Sequence, residues 1–153
     1  MSRRNTIAMS DAEIDEYLHG RHTMNVASIG PDGRVHLVAM WYGFLDDGAP
    51  VFWTYGKSQK ILNLRRDPRV TCLVETGEQY SELKGVELVG TAVIIEDRET
   101  VMAVGRSVSE RYTGPWNDTM AVAIEQVGAK RFAVRIDVEK VVSWDHSKLG
   151  GVY

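Results

Sequence analysis

The stretch from Val51 to Val70 constrains the fold more than any other part of the chain. It reads as strand, tight turn, short helix, stop and strand, with nothing to spare between them. Val51 to Tyr55 is β-branched and aromatic, which suits a pleated and mostly buried strand. Gly56 permits a sharp turn. Ser58 is a good N-cap, its hydroxyl placed to accept from a free backbone N–H of the first helical turn. Ile61 and Leu64 recur at helical spacing and should face the core, and Pro68 ends the helix by pushing Asp67 out of the helical region.

The start of that helix is where chemistry can sit. Free N–H groups, the positive end of the helix dipole, the Ser58 hydroxyl and the ammonium groups of Lys57 and Lys60 would converge there, a cluster suited to phosphate. It is not a P-loop, because no Gly-x-x-x-x-Gly-Lys-Ser/Thr occurs in the chain. The same residues also read as an ordinary capped helix with a basic exposed face.

The flanking chain predicts a β-rich domain. Ser10 and Glu13 form a capping box for a short helix striped by Ile14, Tyr17 and Leu18, with Gly20 closing it from the C′ position. Strands are expected over Thr23–Ile29, Arg34–Phe44, Arg69–Glu75 and about Leu83–Ile95, with turns at Pro31-Asp32-Gly33 and Asp46-Asp47-Gly48. Gly85 and Gly90 mark bulges or bends in the last of these. Asp97 should cap a helix carrying Val101, Val104 and Val108 on one face, and Met120, Ala123, Ile124 and Val127 should line a second. Arg131–Asp137 and Glu139–Trp144 are expected as two final strands. The order predicts a mainly β protein with α, an antiparallel barrel with short helices outside it.

At 153 residues the chain is one domain, residues 1–153, large enough for its own core. A net charge of −3 argues against a general nucleic-acid binder and makes the basic run from Lys57 to Arg69 more informative. The lone Cys72 lies in an apolar run and reads as a buried residue; a single cysteine allows no internal disulfide, as expected in a reducing cytoplasm. No apolar stretch approaches membrane-spanning length, and Met1-Ser2-Arg3-Arg4-Asn5 is followed by no hydrophobic region, so no signal peptide and no membrane partner are expected. His19 and His22 straddle Gly20 without a third ligand, so no metal site is expected. The absence of a Gly-x-Ser-x-Gly elbow speaks against a serine hydrolase. Glu75, Glu78, Glu82 and Glu87 read as a solvated acidic turn.

The spacing Phe52-x-Thr54-x-x-x-Ser58-x-Lys60-x-x-x-Leu64-x-x-x-Pro68-x-Val70 resembles the cofactor-phosphate segment of the pyridoxamine 5′-phosphate oxidase-like split-barrel superfamily. Chain length, strand order and the C-terminal Ser143-Trp144-Asp145-His146-Ser147-Lys148-Leu149 resemble it too, and the form is most similar to the actinobacterial branch thought to use coenzyme F420. The resemblance implies an antiparallel split β-barrel and a homodimer. It implies that Thr54, Ser58 and Lys60, with Lys57, surround a flavin or deazaflavin phosphate. It implies that His36, Val38, Ala39, Met40 and Trp41 run beside the ring, their backbone amides able to bond its pyrimidine edge. Trp144, His146 and Lys148 would belong to a tail that crosses to the other subunit and walls the pocket. The arginine-rich tail of the flavin oxidases proper is absent, which speaks against pyridoxamine phosphate oxidase activity itself.

Three readings follow: an F420-dependent oxidoreductase, an FMN-dependent oxidase or reductase, and a carrier of a flavin or haem-type tetrapyrrole without turnover. F420 carries a lactyl-glutamate tail beyond its phosphate, and Lys57, Lys60, Arg65, Arg66 and Arg69 offer five cations within thirteen residues for it. FMN ends at its phosphate and needs no such charge. The leading reading is therefore hydride transfer from reduced F420 to an electron-poor double bond of a small substrate. The cofactor carries the hard chemistry, so no residue is named as catalytic.

Overall fold

The computed structural model describes residues 3–151. Helices α1 (Arg3–Ile7) and α2 (Asp11–His19) lead into strands β1 (Met24–Ile29), β2 (Val35–Met40), β3 (Gly43–Phe44) and β4 (Pro50–Tyr55). Helix α3 (Gln59–Arg66), β5 (Arg69–Thr76) and β6 (Lys84–Ile95) follow, then α4 (Arg98–Thr113), α5 (Asp118–Gly128) and β7 (Arg131–Asp145). The strands form one antiparallel seven-stranded sheet in the order β2-β1-β5-β6-β7-β4-β3.

That order forces the sheet to curl. Its two edges, β2 and β3, are consecutive in the chain and joined only by Trp41 and Tyr42. A link of that length spans at most about 11 Å, whereas the edges of a flat sheet of this width would lie about 28 Å apart. The expected single strand over 34–44 is therefore two strands on opposite edges. The split falls where Tyr42 turns fully into the core and Trp41 stays half exposed.

Packing explains why β4 lacks alternation. Its one face, with Phe52 and Thr54, points into the barrel, where Met24, Val26, Tyr42, Ile61, Val74 and Ile136 are buried. Its other face, with Val51 and Trp53, lies under α4 and α5 against Val101, Val104, Val108 and Ile124. A strand buried on both faces reads as a continuous apolar run. On α5 only Ile124 of the four predicted lining residues is buried, and Val127 remains 44% exposed.

Other boundaries shifted for local reasons. The two strands expected at the C-terminus are one, β7, interrupted by a bulge. Val89 faces Lys140 while Gly90 faces Val138, which leaves Glu139 as the extra residue. Gly90 is required there, because a Cβ would meet the Asp137 carbonyl oxygen at 2.1 Å. Gly85 marks no bulge; it pairs regularly with Trp144 and leaves room for that indole, which a Cβ would meet at 2.3 Å. The Ser10–Glu13 capping box is present. Gly20, in contrast, has extended dihedrals (φ −61°) rather than left-handed ones, and α2 ends on a bond from its N–H to the Tyr17 carbonyl.

Candidate cofactor site

The turn from β4 into α3 is pressed against the start of β7. Gly56 donates its N–H to the Lys130 carbonyl at 2.8 Å, and a Cβ on it would meet the Phe132 ring at 2.8 Å. Close approach, not a positive φ, is what this glycine supplies. The Thr54 side chain points inward opposite Phe132 and is buried. Lys60, on the first turn of α3, is only 9% exposed and donates from Nζ to Thr54 Oγ1 at 3.0 Å. Among the described residues no carboxylate pairs with this ammonium. Burial, and then the charge of Arg131, hold its pKa below the ordinary lysine value.

Ser58 departs from expectation in an informative way. Its dihedrals are those of an N-cap, yet its hydroxyl accepts no N–H from α3. Ser58 Oγ is instead buried without a hydrogen-bond partner among the described residues. Buried polar groups are nearly always satisfied. An uncapped helix start, an orphan hydroxyl and a desolvated ammonium together fit the oxygens of a phosphate.

Beside this cluster runs a cleft of about 390 Å³ between β2, β4, α4 and the start of β7. Its walls are Met40, Trp41, Trp53, Val108, Ser109 and Arg131, with Ala39 at its rim. That volume lies within the range of small-molecule sites, about 300–1,000 Å³. The Trp41 indole is 49% exposed and stacks flat on Tyr112, with centroids 4.6 Å apart and planes 1° apart. Tyr112 is itself held by donating to the His22 carbonyl at 2.5 Å and accepting from the Tyr42 N–H at 3.3 Å. Tyr42 is core: its hydroxyl donates to the Leu18 carbonyl at 2.5 Å, and burial pushes its pKa up to about 12.

Because β2 pairs only with β1, one row of its backbone groups stays open toward the barrel's seam. His36, Val38 and Met40 are half buried on its inner side, while Ala39 lies on the exposed face. His36 stands opposite Ser28, and its Nδ1 is buried without a partner among the described residues. Ser28 accepts from Asn63 at 3.1 Å and Asn63 from Gln59 at 2.8 Å, so a buried polar line connects β1 to the first turn of α3.

The basic run behaves less uniformly than its sequence suggests. Arg65 is ion-paired to Glu96 and lies over the Phe132 ring. Arg69 is paired with Asp67, whose carboxyl these bonds pull down to about 2. Arg66 donates to the Ile29 carbonyl. Lys57 is exposed and has no partner among the described residues. Of the five cations, Lys60, Arg66 and Lys57 form no ion pair among the described residues, although the charge of Arg66 also acts on Asp67.

The C-terminal candidates lie elsewhere in the chain. Trp144 covers Gly85, His146 Nδ1 meets the Tyr80 carbonyl at 2.9 Å, and Lys148 binds Glu13 at 2.7 Å and the Ala8 carbonyl at 2.9 Å. Between Phe132, beside Thr54, and Trp144 the long strand β7 runs about 40 Å at an ordinary strand rise. Among the described residues no hydrogen bond or ion pair joins Trp144, His146 or Lys148 to Thr54, Ser58 or Lys60. His19 bonds the Asp15 carbonyl and stacks on Phe44. Among the described residues no group of three or more His, Cys, Asp or Glu converges as for a metal, and no helix is long and apolar enough to cross a membrane.

Trp53, Val108, Ser109 and Arg131 are the cleft residues that sequence reasoning missed. Two belong to predicted strands and two to the α4 helix, and nothing in a single sequence marks which residues of an element face a cleft.

The profile described as pyridoxamine 5′-phosphate oxidase matches residues 10–145, and the chain belongs to that family. Among solved structures it is similar to the conserved hypothetical protein Rv2991 from Mycobacterium tuberculosis. That protein is 46% identical over 100% of this chain and 95% of its own, with a TM-score of 0.91. More distant likenesses show the shared fold. An F420 reductase is 22% identical over 83% of this chain and 94% of its own, with a TM-score of 0.67. A FAD-binding protein from Mesorhizobium loti is 20% identical over 89% of this chain and 94% of its own, also with a TM-score of 0.67. A search of curated proteins returned no match.

Proposed function

We propose that the protein is a flavin-type oxidoreductase whose cofactor is F420. The observation that carries this reading is the buried Lys60 ammonium on Thr54, beside an orphan Ser58 hydroxyl and an uncapped helix start. Thr54, Ser58 and Lys60 would hold the phosphate, with Lys57 at the surface. The open backbone of β2 around Val38, Ala39 and Met40, together with His36 and Trp41, would line the ring. When bound, F420 supplies a hydride and the conjugated ring that donates it. The chain's own part is to desolvate the phosphate, to fix the ring against β2, and to exclude water with Trp41, Trp53 and Met40. The substrate would be a small molecule with an electron-poor double bond.

The separation of the tail from the phosphate cluster supports a homodimer, in which a second copy would bring Trp144, His146 and Lys148 to the pocket. The exposed apolar row of Val35 and Leu37 on edge strand β2, continued by Trp41 just after it, supports the same reading. Sedimentation at micromolar concentration, with cofactor present, should show a dimer; a cofactor-bound monomer would overturn it.

A second reading, FMN in place of F420, is favoured by the ion pairs of Arg65 and Arg69, which reduce the charge left for a polyglutamate tail. Titration of the purified protein with F420 and FMN decides between them. Tight FMN with negligible F420 binding would replace the first reading by the second, and binding of neither would turn attention to a tetrapyrrole carrier, tested with haem.

A further inference from the structure

Within the cleft the charge is one-sided. Among the described residues that line it, Arg131 is the sole charged one, and the other polar side chain is the hydroxyl of Ser109. The Arg131 guanidinium lies over the Trp53 ring, 4.8 Å from its centroid, and makes no hydrogen bond or ion pair among the described residues. Other partly buried arginines of this chain have polar partners, although Arg111 Nε is left without one. Arg111 donates to the Leu18 and Gly20 carbonyls, and Arg135 pairs with Asp47 and Asp137. A guanidinium pinned on an indole has its orientation fixed by the ring while its N–H edge stays available. Its charge is felt by Lys60, which it repels. Trp41, held flat by Tyr112, offers a second aromatic surface to the same space.

We propose that this cleft selects planar conjugated molecules that carry a carboxylate or similarly delocalised negative charge, with Arg131 as the recognising residue. The inference rests on the cofactor-site reading above and names the chemistry at its ring side. The half-exposed Trp41 indole supplies flat apolar contact, while Trp53, only 9% exposed, holds the guanidinium from below. One oriented guanidinium, with no protein carboxylate to satisfy it, supplies the planar fork that a carboxylate matches. The anion has two possible sources, the ring end of the cofactor or the hydride acceptor.

The test uses the full chain and calorimetric titration with 2-naphthoate and its neutral isostere 2-naphthamide. The wild type is expected to prefer the carboxylate by about tenfold or more, the size of a charge-assisted contact. Arg131→Gln should remove that preference, and Arg131→Lys should keep part of it, with both variants melting within a few degrees of the wild type. Displacement of naphthoate by F420 would place the anion on the cofactor ring, whereas simultaneous binding would place it on the acceptor; both support the proposal. Equal affinity of the wild type for the two probes, failure to bind either, or a preference that survives Arg131→Gln overturns it. Failure of F420 and FMN to bind while the naphthoate preference holds would remove the cofactor reading and leave the anion cleft standing.

Discussion

Replacing Lys60 by methionine should stabilise the fold and at the same time strip it of affinity for a phosphate-bearing cofactor. The ammonium is 9% exposed and meets one hydroxyl, with no carboxylate to offset its desolvation. Replacing a buried ion pair by apolar groups is neutral or gains about 1–4 kcal/mol, and an ammonium with no counter-ion belongs at the favourable end of that range. Loss of the bond to Thr54 Oγ1 costs about 1 kcal/mol. A net gain of about 0–3 kcal/mol remains, and for a chain of this size each kcal/mol corresponds to a rise of about 2–4 °C in melting temperature. Binding should move the other way. A charge-assisted bond to phosphate is worth about 1.5–3 kcal/mol, so Kd should rise about ten- to a hundredfold.

The pH dependence has a definite sign. The folded-state pKa of Lys60 is depressed by burial and by Arg131 from an ordinary value of 10.5. Between the depressed value and 10.5 the unfolded chain holds the proton and the folded chain does not, so this group's contribution to stability rises with pH across that window. The stability gap between variant and wild type should therefore be largest at neutral pH and shrink as pH approaches 10.5. Scanning calorimetry from neutral to alkaline pH, with cofactor titration, measures both effects. A variant that melts several degrees lower, or keeps its Kd within threefold of the wild type, would refute the assignment of Lys60 as a destabilising residue kept for its ligand.

Three further outcomes are expected. Gly90→Ala places a methyl where the Asp137 carbonyl stands at 2.1 Å, so urea unfolding should show a loss of at least about 1–3 kcal/mol with an unchanged m-value; an unaltered midpoint would mean that the bulge yields freely. Cys72 is fully buried and its thiol is pushed up to about 12, so Ellman's reagent at pH 8 should label it only at the rate of unfolding, and fast native labelling would contradict that burial. Lys57→Gln and Arg66→Gln should each weaken F420 binding by up to about fivefold, less at high salt, whereas Arg65→Gln and Arg69→Gln should change it little, because Glu96 and Asp67 already neutralise those arginines. Equal losses at all four positions would reject that division.

The sequence by itself determined the local pieces of this protein. The Ser10–Glu13 box, the Asp97 cap on Thr100 and the stop at Pro68 are signals between near neighbours, and each produced the feature expected of it, while β-branched runs marked strands without fixing where they break. The grouping of Ser58 and Lys60 was legible for the same reason, since one turn and one helical start place them, whereas Thr54, which accepts from Lys60, was implied only by the family resemblance. Tertiary structure decided what depends on distant chain. The break at Trp41 and Tyr42 follows from closing a barrel between edges that no local pattern reveals. The paired state of Arg65 depends on Glu96, thirty-one residues away. Arg131 became a cleft residue only because β7 runs antiparallel to β4 in a register that sets it opposite Tyr55, next to the turn that begins the phosphate cluster. Burial of an unpaired ammonium and an orphan hydroxyl is likewise a property of packing. Composition shows which groups carry charge, whereas only the fold fixes which of them are removed from water with nothing to neutralise them.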